Sequence, residues 1–196
     1  MSDSLRVRKR QRTRERIATA AAHLVSANGL SATTADQIAE EADVARATFF
    51  RYFESKEYAV AEGFTANWIA AITDALRRQP PELSVNAALT AAFAELTPSF
   101  AAVERSIAEI ERQTRESLSL RAWTLLCYLN FETAIAEVIA PRLPDLTVDD
   151  PRPRLIGALT MASVRISIDD WLREGGSLSE RISRAVNSMT PCPIKE

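Results

Sequence analysis

An all-α fold is the expectation for this chain, and three observations carry it. Gly is sparse, 5 residues in 196, while long stretches favour Ala, Leu, Glu and Arg, which lose little side-chain freedom in a helix. Apolar residues recur at three- and four-residue steps, the period that gathers them on one helix face. The breaks fall at Gly29, Pro80-Pro81, Pro98, Pro141 to Pro153 and Gly175-Gly176, and no segment alternates as a strand would. A hydrophobic fraction of 46% with 26% charged residues is that of a folded globular chain. About nine helices are expected.

Taken in order, residues 1–11 form a polar, Arg-rich basic arm. Over 12–28, Ile17, Ala20, Ala21, Leu24 and Val25 make one helix face. Gly29 closes that helix, because glycine takes the left-handed conformation at little cost. Thr34-Ala35-Asp36-Gln37 fits a capping box, in which the Thr34 hydroxyl accepts from the Gln37 N–H and the Gln37 side chain returns the bond. Asp36 stands where the helix dipole favours an acid. The short helix opened by Thr34 turns Ile38 and Ala39 inward, and Ala42 and Val44 continue that face through a turn at Asp43. Asp is among the few residues that tolerate positive φ there.

A second short helix, 45–52, turns Phe49 and Phe53 inward and leaves Arg46, Ala47, Thr48, Phe50 and Tyr52 partly free. Ala45 is a poor N-cap for it. Ser55 then caps a longer helix through Val60, Phe64, Trp68, Ile69 and Ile72 to about Arg78. Two short helices across a tight turn, with a longer helix following, are the layout of a helix-turn-helix, whose second helix enters the DNA major groove.

Beyond the prolines, helices are expected over 84–96, 99–113 and 116–140. The last is apolar on nearly every face and should be the most buried of its domain. A loop over 141–153 leads to a helix opened by Asp150-Pro151 and running to about Arg173, and Ser177 caps a final helix to about Met189.

The net charge of −2 is unevenly divided: residues 1–60 carry ten Lys or Arg against eight Asp or Glu, and the remainder fourteen against eighteen. In 1–16, seven basic residues face only Asp3 and Glu15. A basic end on an acidic body suits contact with phosphates, the alternative being a solvated tail. Cys127 and Cys192 have no partner at metal-ligand spacing, and His23 is the single histidine. Without a Gly-rich phosphate loop, a nucleophile elbow or a His/Cys/carboxylate cluster, no enzyme, metal or cofactor is expected. No apolar run approaches the roughly 18 residues of a membrane span and no signal-peptide core follows the basic start, so a cytoplasmic protein is expected.

Residues 12–58 resemble the N-terminal domain of TetR-family transcriptional regulators. The resemblance lies in Arg14, Ile17, Ala20-Ala21, Leu24, Gly29, Thr33-Thr34, Ile38-Ala39, Ala42, Val44, Thr48, Phe49, Tyr52-Phe53 and Ser55-Lys56-Glu57. The departures are Asp43 for the usual Gly, Ala45 for the usual Ser, and Phe50 where Tyr is frequent. The resemblance implies phosphate contacts at Thr33 or Thr34, Thr48, Tyr52 and Lys56, and base reading at Arg46 and Ala47. Phe50 is left an apolar contact, such as a thymine methyl.

It also implies a second domain, here 59–196, that binds a small molecule and dimerises. Leu155, Leu159, Ala162, Ile166 and Leu172 on one helix, and Leu178, Ile182, Val186 and Met189 on the other, provide apolar stripes for pairing the last two helices with a second copy; intramolecular core is the alternative. Candidate ligand-pocket walls are Trp68, Phe93, Phe100, Trp123, Cys127, Tyr128 and Phe131, with Asn67, Asn130 and Arg165 as polar anchors and ordinary packing as the alternative. So few anchors point to an apolar or amphipathic effector, acyl-CoA-like molecules among them. The expected function is a homodimeric, ligand-responsive repressor of double-stranded DNA with a palindromic operator. The alternatives are an activator, or a small-molecule-binding protein whose head lacks specific DNA binding.

Overall fold

Helix follows helix throughout the computed structural model, which describes residues 2–116 and 118–189, the side chains of 2–4, 101, 103, 116 and 119 excepted. Among these residues there are nine α-helices, one 3-10 turn and no strand. They are α1 (Ser2–Asn28), α2 (Ala35–Glu41), α3 (Arg46–Tyr52), α4 (Lys56–Arg78), α5 (Val85–Glu95), α6 (Thr97–Glu116), α7 (Leu118–Ile139), the 3-10 turn Ala140–Arg142, α8 (Arg152–Glu174) and α9 (Leu178–Asn187). Two compact units result. Among the described residues, one runs to Asn67 and includes Arg105–Cys127; the other comprises Trp68–Glu104 and residues 128–189.

The first unit is built on Ile17, Ala21, Val25, Leu30, Ile38, Phe49, Phe53 and Val60, all buried, with Ile110 of α6 packed against them. Gly29 at φ 84° closes α1, its N–H donating to Val25 O at 2.8 Å. Gly63 lets α4 approach α1 closely: a Cβ there would lie 2.0 Å from the Ala18 carbonyl oxygen. The Arg-rich stretch expected as an arm is helical and continuous with α1. Arg is a good helix former and neither Gly nor Pro interrupts residues 2–28, so nothing local ends the helix.

In the second unit, Ser84 caps α5 by accepting from Ala87 N at 3.2 Å, and Ser177 caps α9 by accepting from Glu180 N at 3.3 Å. Asp150 does not cap α8 in the expected way. Its Oδ1 accepts from Arg152 N at 2.8 Å while Pro151 holds the N-cap position. Hydrogen bonding by the Arg152 side chain keeps the Asp150 carboxyl below its usual range. Arg142 donates to Leu76 O, Gln79 O and Pro80 O at 2.9, 2.6 and 2.8 Å, so a cation satisfies carbonyls left open where α4 ends.

Two burial expectations are overturned. The apolar stripe of α9 is intramolecular core: Leu178, Ile182 and Val186 are buried and α9 packs on α5 and α8. Helix α7 is not the most buried helix, because Leu118, Leu125, Leu126 and Leu129 are all exposed. Apolar composition alone does not secure cover, and these four leucines meet solvent.

Candidate nucleic-acid interface

The capping box forms as its residues require. Gln37 N donates to the Thr34 hydroxyl at 3.2 Å and Thr34 N donates to Gln37 Oε1 at 2.8 Å. Asp43 takes the turn at φ 48°, Val44 N reaches back to Ala39 O at 2.9 Å, and Ala45 gives α3 no side-chain cap. Phe49 and Phe53 anchor α3, their rings 6.0 Å apart. With that face inward, Arg46, Ala47, Phe50 and Arg51 are exposed and Thr48 and Tyr52 half-buried.

Arg14 of α1 fixes the end of α3. Its Nη1 donates to Tyr52 O at 3.0 Å, its Nε to Glu62 of α4 at 2.8 Å, and its guanidinium lies 4.5 Å from the Phe53 ring centre. A charge-assisted pair that also meets a C-terminal helix carbonyl holds three helices in register.

The residues predicted to face DNA are not equivalent. Thr33 is corrected: its side chain is 1% exposed and its hydroxyl donates to Gly29 O at 2.9 Å, so it braces the turn and cannot reach a phosphate. Lys56 donates to Leu30 O and Thr33 O, both at 2.7 Å, which engages two of its three N–H groups. Arg46 is ion-paired with Asp36 of α2, and its guanidinium lies 5.2 Å from the Phe50 ring centre. Arg14 and Asp36 carry structure that sequence reasoning missed. Their partners lie 48 and 10 positions away, and no local pattern announces such pairs.

The candidate ligand residues divide between the units. In the second, Phe100 stacks on Trp68 at 4.3 Å and lies nearly parallel to Phe93 at 6.5 Å, while Tyr128 and Phe131 are half-buried on α7. Asn67, Trp123 and Cys127 belong to the first unit. There Trp123 meets the edge of Tyr58 at 5.9 Å. Burial pushes the Cys127 thiol up to about 12; a hydrogen bond with Thr65 opposes the shift and the Glu62 carboxylate adds to it. Asn130 and Arg165 are exposed. Arg165 lies beside exposed Ile166 on α8, 4.0 Å from Asp169.

Residues 17–60 match the family described as bacterial regulatory proteins, tetR family, and residues 79–192 match the MftR C-terminal domain. The chain is a TetR-family transcriptional regulator. It is 31% identical over 180 residues to a Mycobacterium tuberculosis protein named as mycofactocin biosynthesis transcriptional regulator MftR, covering 91% of this chain and 89% of that one. It is 30% identical over 189 residues to the HTH-type transcriptional regulator TcmR of Streptomyces glaucescens, covering 94% and 84%. Thermus thermophilus FadR, a TetR-family repressor solved with lauroyl-CoA, shares the fold with a TM-score of 0.63 at 24% identity, covering 88% and 91%. Regulators of this TetR type bind DNA, respond to small-molecule ligands and act as dimers; they are not enzymes. Among the described residues of this regulator, no helix is long and apolar enough to cross a membrane.

Proposed function

We propose that this TetR-family regulator is a cytoplasmic repressor that binds a palindromic operator as a homodimer and leaves it when an apolar or amphipathic molecule binds. The observation that carries the DNA reading is the outward row of α3. Arg46, Ala47 and Phe50 are exposed while Phe49 and Phe53 lock the opposite face. Arg46 then reads a guanine, Ala47 and Phe50 meet base edges or a thymine methyl, and Thr34, Thr48, Tyr52 and the remaining Lys56 N–H hold phosphates. Residues 12–58 act as the DNA-binding head, preceded by the basic segment 1–11, and 59–196 as the effector domain.

For the dimer, Leu155, Leu159 and Ile166 of α8 are 57%, 56% and 50% exposed, an apolar row suited to a second copy. The apolar stripe of α9 is already covered, so α9 contributes its polar face at the rim. Two copies would set their α3 helices about one DNA turn apart, roughly 34–36 Å. For the effector, the parallel rings of Trp68, Phe93 and Phe100 and the scarcity of buried anchors favour a long apolar tail. An acyl-CoA such as the lauroyl-CoA held by Thermus thermophilus FadR fits that class. Effector binding in 59–196 would shift α4 between DNA-competent and incompetent states.

The test begins with duplexes selected from a randomised pool by the full-length protein. Arg46→Ala should relax base preference at one position per half-site. Lys56→Ala should weaken all duplexes and flatten the salt dependence. Lauroyl-CoA should release the selected duplex and free CoA should not. If neither variant alters binding, α3 is not the reading helix; if no acyl-CoA releases DNA, the effector class is wrong.

A further inference from the structure

Asp36 and Arg46 face each other across the turn between α2 and α3. Arg46 Nη1 donates to Asp36 Oδ1, and both side chains are well exposed to solvent. One helical turn further along α3, Phe50 presents its ring to the guanidinium, with Cζ 5.2 Å from the ring centre. Phe50 is itself set edge-on against buried Phe49, 5.1 Å between ring centres. The guanidinium is thus held at two points by groups fixed to different helices. We infer that Asp36 is a specificity-determining residue, which orients the Arg46 guanidinium on the Phe50 face so that Arg46 meets a guanine already positioned.

The inference rests on the reading of α3 as the base-contacting helix and extends it to a residue that touches no base. Arg carries five N–H donors in a rigid fork, so one bond to Asp36 leaves donors for guanine O6 and N7. An unbraced Arg at the start of an exposed helix loses rotamer freedom on binding, and bracing it beforehand removes that cost. The carboxylate acts a second way. It places a negative charge on a surface that must approach a polyanion, which lowers affinity for every sequence. That penalty is common to all sequences and cancels in their ratio, so discrimination comes from the bracing of Arg46, while the charge keeps unrelated DNA weakly bound. Phe50 joins the arrangement because a flat ring suits stacking against a guanidinium.

The test uses full-length protein and three duplexes: one selected from a randomised pool, its counterpart with adenine at the guanine that Arg46→Ala identifies, and an unrelated sequence. Asp36→Asn should lose about tenfold of the guanine preference at that same base pair. Its affinity for the unrelated duplex should rise about two- to threefold, whereas that of Arg46→Ala should fall. The double variant should discriminate no worse than Arg46→Ala alone, since coupled residues are not additive. Asp36→Glu, which keeps the charge at the start of α2 but displaces the carboxylate, should lose preference without gaining unrelated affinity, and it serves if Asp36→Asn does not fold. Wild-type preference in both Asp36 variants, loss at another base pair, an additive double variant, or uniform weakening of all three duplexes would each overturn the inference. If Arg46→Ala itself leaves every base preference intact, the reading of α3 fails instead.

Discussion

At Thr33 one hydroxyl separates two readings of the same residue. Beside a helix N-terminus it has the right chemistry to hold a phosphate, yet its hydroxyl donates 2.9 Å to Gly29 O in a buried turn. Thr33→Val keeps the shape and leaves that carbonyl without its partner, so unfolding free energy should fall by about 1–2 kcal/mol. The salt dependence of DNA binding should not change. Chemical denaturation and a salt titration of the same variant check both. Cys127 makes a comparable argument. Its thiol is pushed up to about 12, chiefly by burial, so it stays protonated through the physiological range. In a Cys192→Ser background, alkylation of the folded protein near about pH 8.5 should be far slower than that of the unfolded chain. The folded value is the raised one. The associated stability is therefore complete below the ordinary thiol range and is lost as pH climbs from that range through about 12; denaturation at several alkaline pH values would show the decline, and Cys127→Ala should abolish this component.

Among the elements, α3 shows how weak local preferences yield to packing. Seven residues without a side-chain cap, entered from an Asp at φ 48°, would not hold as an isolated helix. Phe49 and Phe53 hold it by burial, and Arg14 holds its last turn. Ala45 already has the extended backbone of an N-cap, at φ −67° and ψ 148°. Ala45→Ser should therefore stabilise the protein by about 0.5–1 kcal/mol, read as a higher denaturation midpoint with an unchanged slope. Helices from Arg12 onward were legible: the capping box at Thr34, the serine cap at Ser177 and the stop at Gly29 are chemistry between near neighbours, whereas the stretch before Arg12, expected as an arm, belongs to α1. Burial of whole helices was not. The composition of α7 says that it is apolar, and only its neighbours decide that Leu118, Leu125, Leu126 and Leu129 stay uncovered.

For the whole molecule, the exposed row Leu155, Leu159 and Ile166 carries the expectation of a second copy. Leu159→Glu puts a charge at its centre without touching the buried face of α8, where Met161, Val164 and Ile168 pack. The variant should keep its helical content, sediment as a monomer at micromolar concentration, and lose binding to a two-half-site duplex by at least about a hundredfold. An unchanged sedimentation coefficient would move the dimer seam elsewhere. The family resemblance implied that the apolar stripes of α8 and α9 both pair with a second copy; packing assigned the α9 stripe to the protein's own core.

What the sequence determined by itself is whatever depends on neighbours within about four positions: the helices from Arg12 onward, the cap at Thr34, the stop at Gly29, and which face of α2 and α3 turns inward. It also determined the family, since the matching residues of 12–58 keep their spacing. The tertiary structure decided which polar groups meet across distant positions. Arg14 pairs with Glu62, Asp36 with Arg46, and Arg142 with the end of α4. Those contacts depend on angles between helices, and such angles follow from how buried side chains interlock rather than from any local pattern.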